Sequence, residues 1–453
     1  MKKFSFSKFS ILLILSISLI VTGNNQKWKP GVINWDVISY YAYLPATFIH
    51  NDLSFSFLDK EPSLTTKIWT GKTEDGRHYI KMTSGLSIMY APFFLMAHGV
   101  AKLQPDMYAS DGYSMVYSLF LILSDIFYTI IGFVFLRKIL LLYFSDMITA
   151  ITIVTIYLGT NMLYYSTYEV MSHCYLFSLI TIFIYYTIKW YELPNLRYSI
   201  FLGALLGLIT LIRPIDIMMV SIWLLYDLRT FRSIKTRLAY LLKNKKYVLI
   251  IGTLTFAVFS IQLCYWKYAT GSWIYWSYSE EGFFWLKPHI MDGLFSFRKG
   301  WYIYTPLMFL STIGLFLLYR TTAKRFFTAF LFLFVVFNYV VFSWWCWWYG
   351  GSLSARPMID IYGMMAIGLA SFISFIAQLR STVIKYIAGL LICFFTFYAI
   401  FLTVQYHLGL LHFDSMNYTT WKKGFLTFFV PEDYFKNMSS PNYEKAMKYG
   451  KED

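Results

Sequence analysis

Residues 113–138 read YSMVYSLFLILSDIFYTIIGFVFLRK. The run is apolar or hydroxylated throughout, apart from Asp125, until it stops on Arg137-Lys138. A helix of this length crosses the roughly 30 Å hydrocarbon core of a bilayer. The basic pair fixes its direction, because short loops rich in Lys and Arg stay in the cytoplasm. One stretch therefore predicts both a transmembrane helix and its orientation.

Working outward, similar runs recur near 9–23, 147–166, 171–190, 198–212, 214–228, 247–267, 303–320, 326–345, 357–379 and 386–408. Together with 113–136 they predict an all-α polytopic membrane protein with about eleven spans and a cytoplasmic N-terminus. Composition agrees. The chain is 58% apolar and only 14% charged, where a soluble domain carries about 25% charged residues. The two runs flanking Arg213-Pro214 are short and read as a tilted or broken hairpin. The first run, behind Lys2-Lys3, lacks a clear cleavage site near Thr22-Gly23-Asn24 and is expected to be a retained helix.

The formal charge of +15 is a matter of topology. The expected inner segments hold Lys2, Lys3, Lys8, Arg137, Lys138, Lys189, Arg197, the run from Arg229 to Lys246, Arg320, Lys324, Arg325, Arg380 and Lys385. Those segments carry 19 basic residues against the three acids Asp146, Glu192 and Asp227. All other segments together hold 20 basic and 21 acidic residues. The excess is what orients the chain, and no nucleic-acid partner is implied. The partner it does imply is the lipid bilayer.

The segments divide as 1–23, a first span; 24–112, a large outer loop; 113–268, spans two to seven; 269–302, an aromatic outer loop; 303–408, the remaining spans; and 409–453, an outer tail that caps the face. In the first loop, Asn34-Trp35-Asp36 is expected to start an interfacial helix running to about His50, with Asn34 as its cap. Lys67–Thr70 and Arg77–Ile80 flank an Asp75-Gly76 turn signal and predict a hairpin. The run from Gly85 to Leu103 reads as a second interfacial or re-entrant helix, because counting it as a span would invert the charge pattern that follows. Trp344 to Trp348 read as an interfacial aromatic belt. Cys174, Cys264, Cys346 and Cys393 match no metal or disulfide spacing and read as small packing residues.

The groups able to carry chemistry fall on the expected outer side. Asp36, early in a helix, is a carboxylate able to accept a proton from a hydroxyl. Glu169 and His173 lie four apart at the junction of the third and fourth spans. They read as a hydrogen-bonded pair lining a polar cleft; a divalent metal is the alternative, with no third ligand evident. Arg213, Arg298 and Arg356, with Asp216, Asp292 and Asp360 nearby in sequence, are ionisable groups near a bilayer and so functional candidates. Guanidinium groups suit a phosphate-bearing ligand. Asp125 is expected either to pair with Arg213 or to hydrate a cavity.

The run Asp36-Val-Ile-Ser-Tyr40-Tyr41-Ala-Tyr43-Leu-Pro45-Ala, with Asp52-Leu53 after it, resembles the first outer loop of bacterial GT-C fold glycosyltransferases. Lys81-Met-Thr-Ser-Gly85-Leu with Ala91-Pro92-Phe93-Phe94, Ser172-His173, Leu211-Ile-Arg213-Pro214, Arg298-Lys-Gly300 before Thr305-Pro306, and Gly350-Gly351-Ser-Leu-Ser-Ala-Arg356 resemble later landmarks of that family, in order from about 34 to 362. The resemblance implies an inner-membrane enzyme that moves a sugar from a polyprenyl-phosphate donor to a hydroxyl on a glycan, lipid or protein acceptor at the outer face. It implies Asp36 as the catalytic acid's counterpart and general base, and Lys81, Arg213, Arg298 and Arg356 as donor-phosphate contacts. Tyr40, Tyr41, Glu169, His173 and Asp360 are the expected pocket. Many relatives carry a second acid directly after the first; here that residue is Val37. No cofactor is required beyond the possible divalent metal. Other readings are a lipid-linked saccharide flippase or transporter, a glycan ligase or polymerase of another fold, and a non-catalytic assembly subunit.

Overall fold

The computed structural model describes residues 4–229 and 232–451. Lys2 and Lys3, members of the basic set that orients the chain, lie outside the described residues. Its regular structure is almost all helical, with one two-stranded ladder among the described residues. Seven helices among the described residues are long and apolar enough to cross a membrane: Phe6–Asn25, Gly85–Leu103, Met115–Leu140, Lys245–Thr270, Lys324–Phe342, Arg356–Gln378 and Thr382–His407. The remaining expected spans are also helical, but shorter or broken, as in Asp146–Leu158, Leu196–Ile212 and Leu307–Leu317. Ser172–Glu192 has the length but is rich in Tyr and Thr.

Arg356–Gln378 is the most buried of the seven. Its small residues let neighbours approach closely, the means by which membrane helices associate. Gly368 lies against the Ser311 carbonyl, where a Cβ would stand 2.6 Å from that oxygen. Gly314, on the facing helix Leu307–Leu317, abuts the Gly368 carbonyl directly. The first helix uses the same device. Its buried face is Ser7, Ser10, Ile14, Ser18 and Thr22, spaced as one stripe of a 3.6-residue period. Ser18 meets the Tyr157 hydroxyl at 2.6 Å.

The basic turns gather at one end of the bundle. Arg137 donates to Ser7 at 2.7 Å, and Ser5 donates to Asp146 at 3.1 Å. The Asp227 amide donates to the Arg325 carbonyl at 2.7 Å, and Thr322 to the Tyr143 carbonyl at 3.2 Å. Ser172–Glu192 runs from Lys189 at that end to His173 at the other, and Leu196–Ile212 runs from Arg197 to Arg213. A 21-residue helix spans about 30 Å, so His173 and Arg213 stand a bilayer's depth from the basic turns.

Several local expectations are corrected. The first loop starts with two short helices, Asp36–Tyr41 and Tyr43–Phe48, rather than one to His50. Asn34 does not cap: its amide donates back to the Gly31 carbonyl at 3.1 Å. The hairpin pairs Gly71–Lys72 with His78–Tyr79, so the first strand starts after 67–70. Register explains the shift. Gly76 takes the left-handed position (φ +83) of a three-residue loop closed by Thr73 and Arg77, and this leaves 71–72 opposite 78–79. Trp347 and Trp348 are buried rather than belted, because tail residues Tyr443 and Ala446 pack on them. Cys264 and Cys393 are exposed, not packed; all four cysteines are unpaired.

Gly314→Val is expected to cost several kcal/mol, roughly the 1–3 of an overpacked core or more, since backbone blocks relaxation. Gly252→Ala, with nothing within 4 Å of the added carbon, is expected to be near neutral. Thermal melting of the two detergent-purified variants checks this; equal melting temperatures would refute the close packing.

Candidate functional site

Asp36 opens the helix Asp36–Tyr41, behind a Trp35 held at φ +53. A bulky residue there costs on the order of 1–3 kcal/mol and persists only where surroundings impose it. The chain turns at Trp35 so that Asp36 projects at the end of the bundle opposite the basic turns. Its Oδ2 accepts from Arg356 Nη2 at 2.6 Å. Oδ1 has no hydrogen-bond partner among the described residues, and the side chain is 36% exposed.

Arg356 is placed by a tight loop. Tyr349, Gly350 and Ser354 take left-handed φ values, so 349–356 doubles back on itself. Buried side chains from other segments pin it. The Leu353 amide donates to the Tyr165 hydroxyl at 2.9 Å, and Asn161 donates to the Leu353 carbonyl at 3.0 Å. The Lys299 ammonium grips the Ser352 carbonyl. Pro357 then starts the 3₁₀ helix Arg356–Ile361, its fixed φ suiting the first turn. Arg356 Nε is buried with no acceptor among the described residues, so the protein does not exhaust this guanidinium.

Four residues on, Asp360 is fully buried and joins two groups. Its Oδ2 accepts from Arg213 Nη1 at 2.7 Å, and its Oδ1 meets His173 Nδ1 at 2.8 Å. Arg213 ends Leu196–Ile212 in an extended conformation, as expected before Pro214. Asp216 is buried nearby, within electrostatic reach of Arg213 and Asp360. Tyr40 lies within electrostatic reach of Arg213, Asp36 and Arg356; burial raises its phenol above the ordinary range, offset in part by Arg213.

Glu169 adds a second carboxyl near Asp36. It takes the Tyr164 hydroxyl at 2.9 Å. Burial raises it above the ordinary carboxylate range, and Arg356 opposes that shift. It does not share a helix face with His173. The chain is extended at Met171 and the helix starts only at Ser172, so the two residues take separate partners. Among the described residues no three His, Cys, Asp or Glu side chains form a metal-binding group.

The expected site residues thus divide. Asp36, Arg356, Glu169, Tyr40, Arg213, His173 and Asp360 come together. Lys81 flanks them: it pairs with Glu281 and lies 5.1 Å from the Tyr278 ring, which itself interacts with Asp36, Tyr40 and Arg213. Tyr41 does not join; it is buried against Phe94 and Tyr113 and donates to the Gly112 carbonyl. Arg298 does not join either. Its guanidinium is wrapped by the tail, donating to the Asp414 and Ser439 carbonyls. Asp125 pairs with Thr129 at 3.2 Å, not with Arg213, whose counter-ion is Asp360.

Sequence reasoning missed Tyr278, Glu281, Tyr349 and Lys299. The first three lie in aromatic loops with no spacing to single them out. Lys299, with nothing in sequence to separate it from its neighbour Arg298, is buried behind the site, 3% exposed. Burial pushes it down to about 7, against the pull of Asp414 and Glu169.

The chain matches no protein-family model and no curated protein. The fold and the cluster define a helical, multi-pass membrane protein with paired charges at one end of its bundle.

Two outcomes are expected. Asp360→Ala leaves the Arg213 guanidinium without its acceptor in the interior and should cost about 3–5 kcal/mol, whereas Asp36→Asn keeps an amide oxygen as acceptor for the similarly buried Arg356, on a partly exposed side chain, and should cost about 1 kcal/mol. Melting of the two variants checks the order. For Lys299, the folded chain holds fewer protons than the unfolded one between about 7 and the ordinary lysine value near ~10.4. Its stability contribution therefore rises with pH across that window. Wild type should gain melting temperature relative to Lys299→Met between pH 7 and 9; a constant difference would overturn the assignment.

Proposed function

We propose that the protein is a GT-C type membrane glycosyltransferase. It transfers a sugar from a polyprenyl-phosphate donor to an acceptor hydroxyl, with Asp36 as general base. The observation that carries the reading is the Asp36–Arg356 pair, a part-exposed carboxylate whose Oδ2 lies 2.6 Å from the guanidinium and whose Oδ1 has no partner among the described residues. Arg213, Glu169 and Tyr40 surround it at the same end of the bundle.

The chain crosses the inner membrane eleven times with its N-terminus in the cytoplasm, and the cluster faces outward. The basic turns at the opposite end support this orientation. Gly85–Leu103 then lies across the outer end rather than through the bilayer. Gly85 abuts the Ile212 backbone, Tyr90 donates to the Val170 carbonyl, and His98 bonds the Tyr117 hydroxyl at 2.6 Å. Each of these partners lies in the half of the bundle nearest the cluster.

In this reading Asp36 Oδ1 takes the proton of the acceptor hydroxyl. The acceptor oxygen bonds to the anomeric carbon as the carbon–oxygen bond to phosphate breaks. Polyprenyl phosphate leaves with the bond's electron pair, and Arg356 offsets the growing charge. Displacement in one step inverts the anomeric centre. Glu169, within electrostatic reach of Arg356 and Asp36, supplies the second carboxyl that Val37 does not.

Asp36→Asn is expected to keep its fold and lose about 10²–10⁴-fold in transfer from polyprenyl-phosphate sugars. NMR of the wild-type product should show an inverted linkage. Transfer at the wild-type rate by the Asn variant would remove Asp36 as base. In a strain lacking the protein, one polyprenyl-phosphate sugar should accumulate while one envelope glycan residue is lost.

A further inference from the structure

A second polar feature lies in the first loop, apart from the ionic cluster. The hairpin and the preceding 3₁₀ turn, Pro62–Thr66, enclose an open cleft of about 590 Å³. That lies within the roughly 300–1,000 Å³ of small-molecule sites. Asp59, Thr65, Trp69, Thr70, Lys72 and His78 line it.

Its polar groups are organised. Thr70 meets His78 Nδ1 at 2.7 Å, and His78 Nε2 meets Asp59 Oδ1 at 3.2 Å. In the tautomer that satisfies both contacts, Thr70 donates to the ring and the ring donates to Asp59. The second carboxylate oxygen of Asp59 then has no partner among the described residues, and Thr70 keeps lone pairs to accept with. Lys72 approaches the same carboxylate at 3.5 Å and balances its charge. The lining is therefore close to neutral, offers acceptors and donors side by side, and has one part-exposed indole, Trp69, at 44%.

A phosphate would meet Asp59, and an alkyl chain would strand the polar wall. A neutral polyhydroxylated ring satisfies both surfaces. Its hydroxyls pair with the wall, and its apolar face lies on the indole.

The cleft also connects to the base. Trp69 packs edge-on to Trp35, with ring centroids 6.1 Å apart and planes at 73°. Trp35 is 76% exposed, held in its left-handed conformation, and precedes Asp36 directly. An unshielded tryptophan in a costly backbone state calls for a reason, and a surface between cleft and carboxylate supplies one.

We propose that this cleft is a saccharide subsite that seats a pyranose unit of the acceptor, with Trp69 and Trp35 as the aromatic path to Asp36. The acceptor is then a glycan rather than a protein or a simple lipid. This assignment rests on the glycosyl-transfer reading for its role, but the binding site stands on its own geometry.

The test uses full-length protein in nanodiscs and saturation-transfer NMR with the methyl glycosides of glucose, galactose, mannose and N-acetylglucosamine. At least one should bind. Trp69→Ala and Asp59→Asn should each weaken it ten-fold or more, while Trp69→Phe retains most of the binding. Should Trp69→Ala fail to fold, the exposed Asp59→Asn variant carries the comparison. No binding by wild type, or binding indifferent to both Trp69→Ala and Asp59→Asn, overturns the subsite. Binding that depends on Trp69 in a protein with no transfer from any polyprenyl donor keeps the subsite and sinks the enzyme. Asp36-dependent transfer whose acceptor KM ignores Trp69→Ala does the reverse.

Discussion

Charge buried at the end of an apolar bundle must be matched, and that demand organises this molecule. Removing an ion from water costs several kcal/mol even after relaxation. Asp360 has no exposed surface and gives one oxygen to Arg213 and the other to His173. Those three residues come from three separate helical segments. Their contact ties together the ends of Leu196–Ile212, Ser172–Glu192 and Arg356–Gln378 at one level. Hydrophobic contact alone would not fix that level, because lipid tails compete equally well for apolar faces.

Asp36–Arg356 is the other pair, and its circumstances differ. Arg356 is mostly buried, while Asp36 keeps partial access to solvent and one free oxygen. A structural pair has no need of an open lone pair. The backbone around it is also costly: Trp35, Tyr349 and Ser354 all hold positive φ without being glycine. The buried bonds from Tyr165, Asn161 and Lys299 hold the loop in that state. The proposed reaction would need geometry fixed in advance in this way.

Hydropathy and charge spacing made the helical membrane class readable, since both are carried by many residues at once. The grouping of Asp36 with Arg213, Arg356, Glu169 and His173 was also legible, because ionisable groups near a bilayer are few. What failed depended on contacts distant in sequence. Arg298 looked like its sister arginines until the tail supplied carbonyls to it. Tyr40 and Tyr41 are adjacent and chemically alike, yet a single residue step, about 100° around the helix, sends the first to the ion pairs and the second into the core. Trp347 and Trp348 have the composition of a lipid-facing belt, and only the packing of Tyr443 and Ala446 buries them. The Glu169–His173 spacing suggested a shared face, but a helix boundary fell between them.

The two ion pairs are mechanically one unit. Arg356 and Asp360 occupy the same 3₁₀ segment, Arg356–Ile361. With about 2.0 Å of rise per residue, they stand roughly 8 Å apart along its axis. Arg356 cannot shift without pulling on Asp360, which is held by Arg213 and His173. The deep pair therefore acts as an anchor for the shallow one. Tyr40, one turn beyond Asp36, lies within electrostatic reach of both Arg213 and Arg356, so the segment bearing Asp36 faces both pairs. A cluster built this way resists rearrangement, and in the proposed reaction the choice of acceptor has to come from residues outside it.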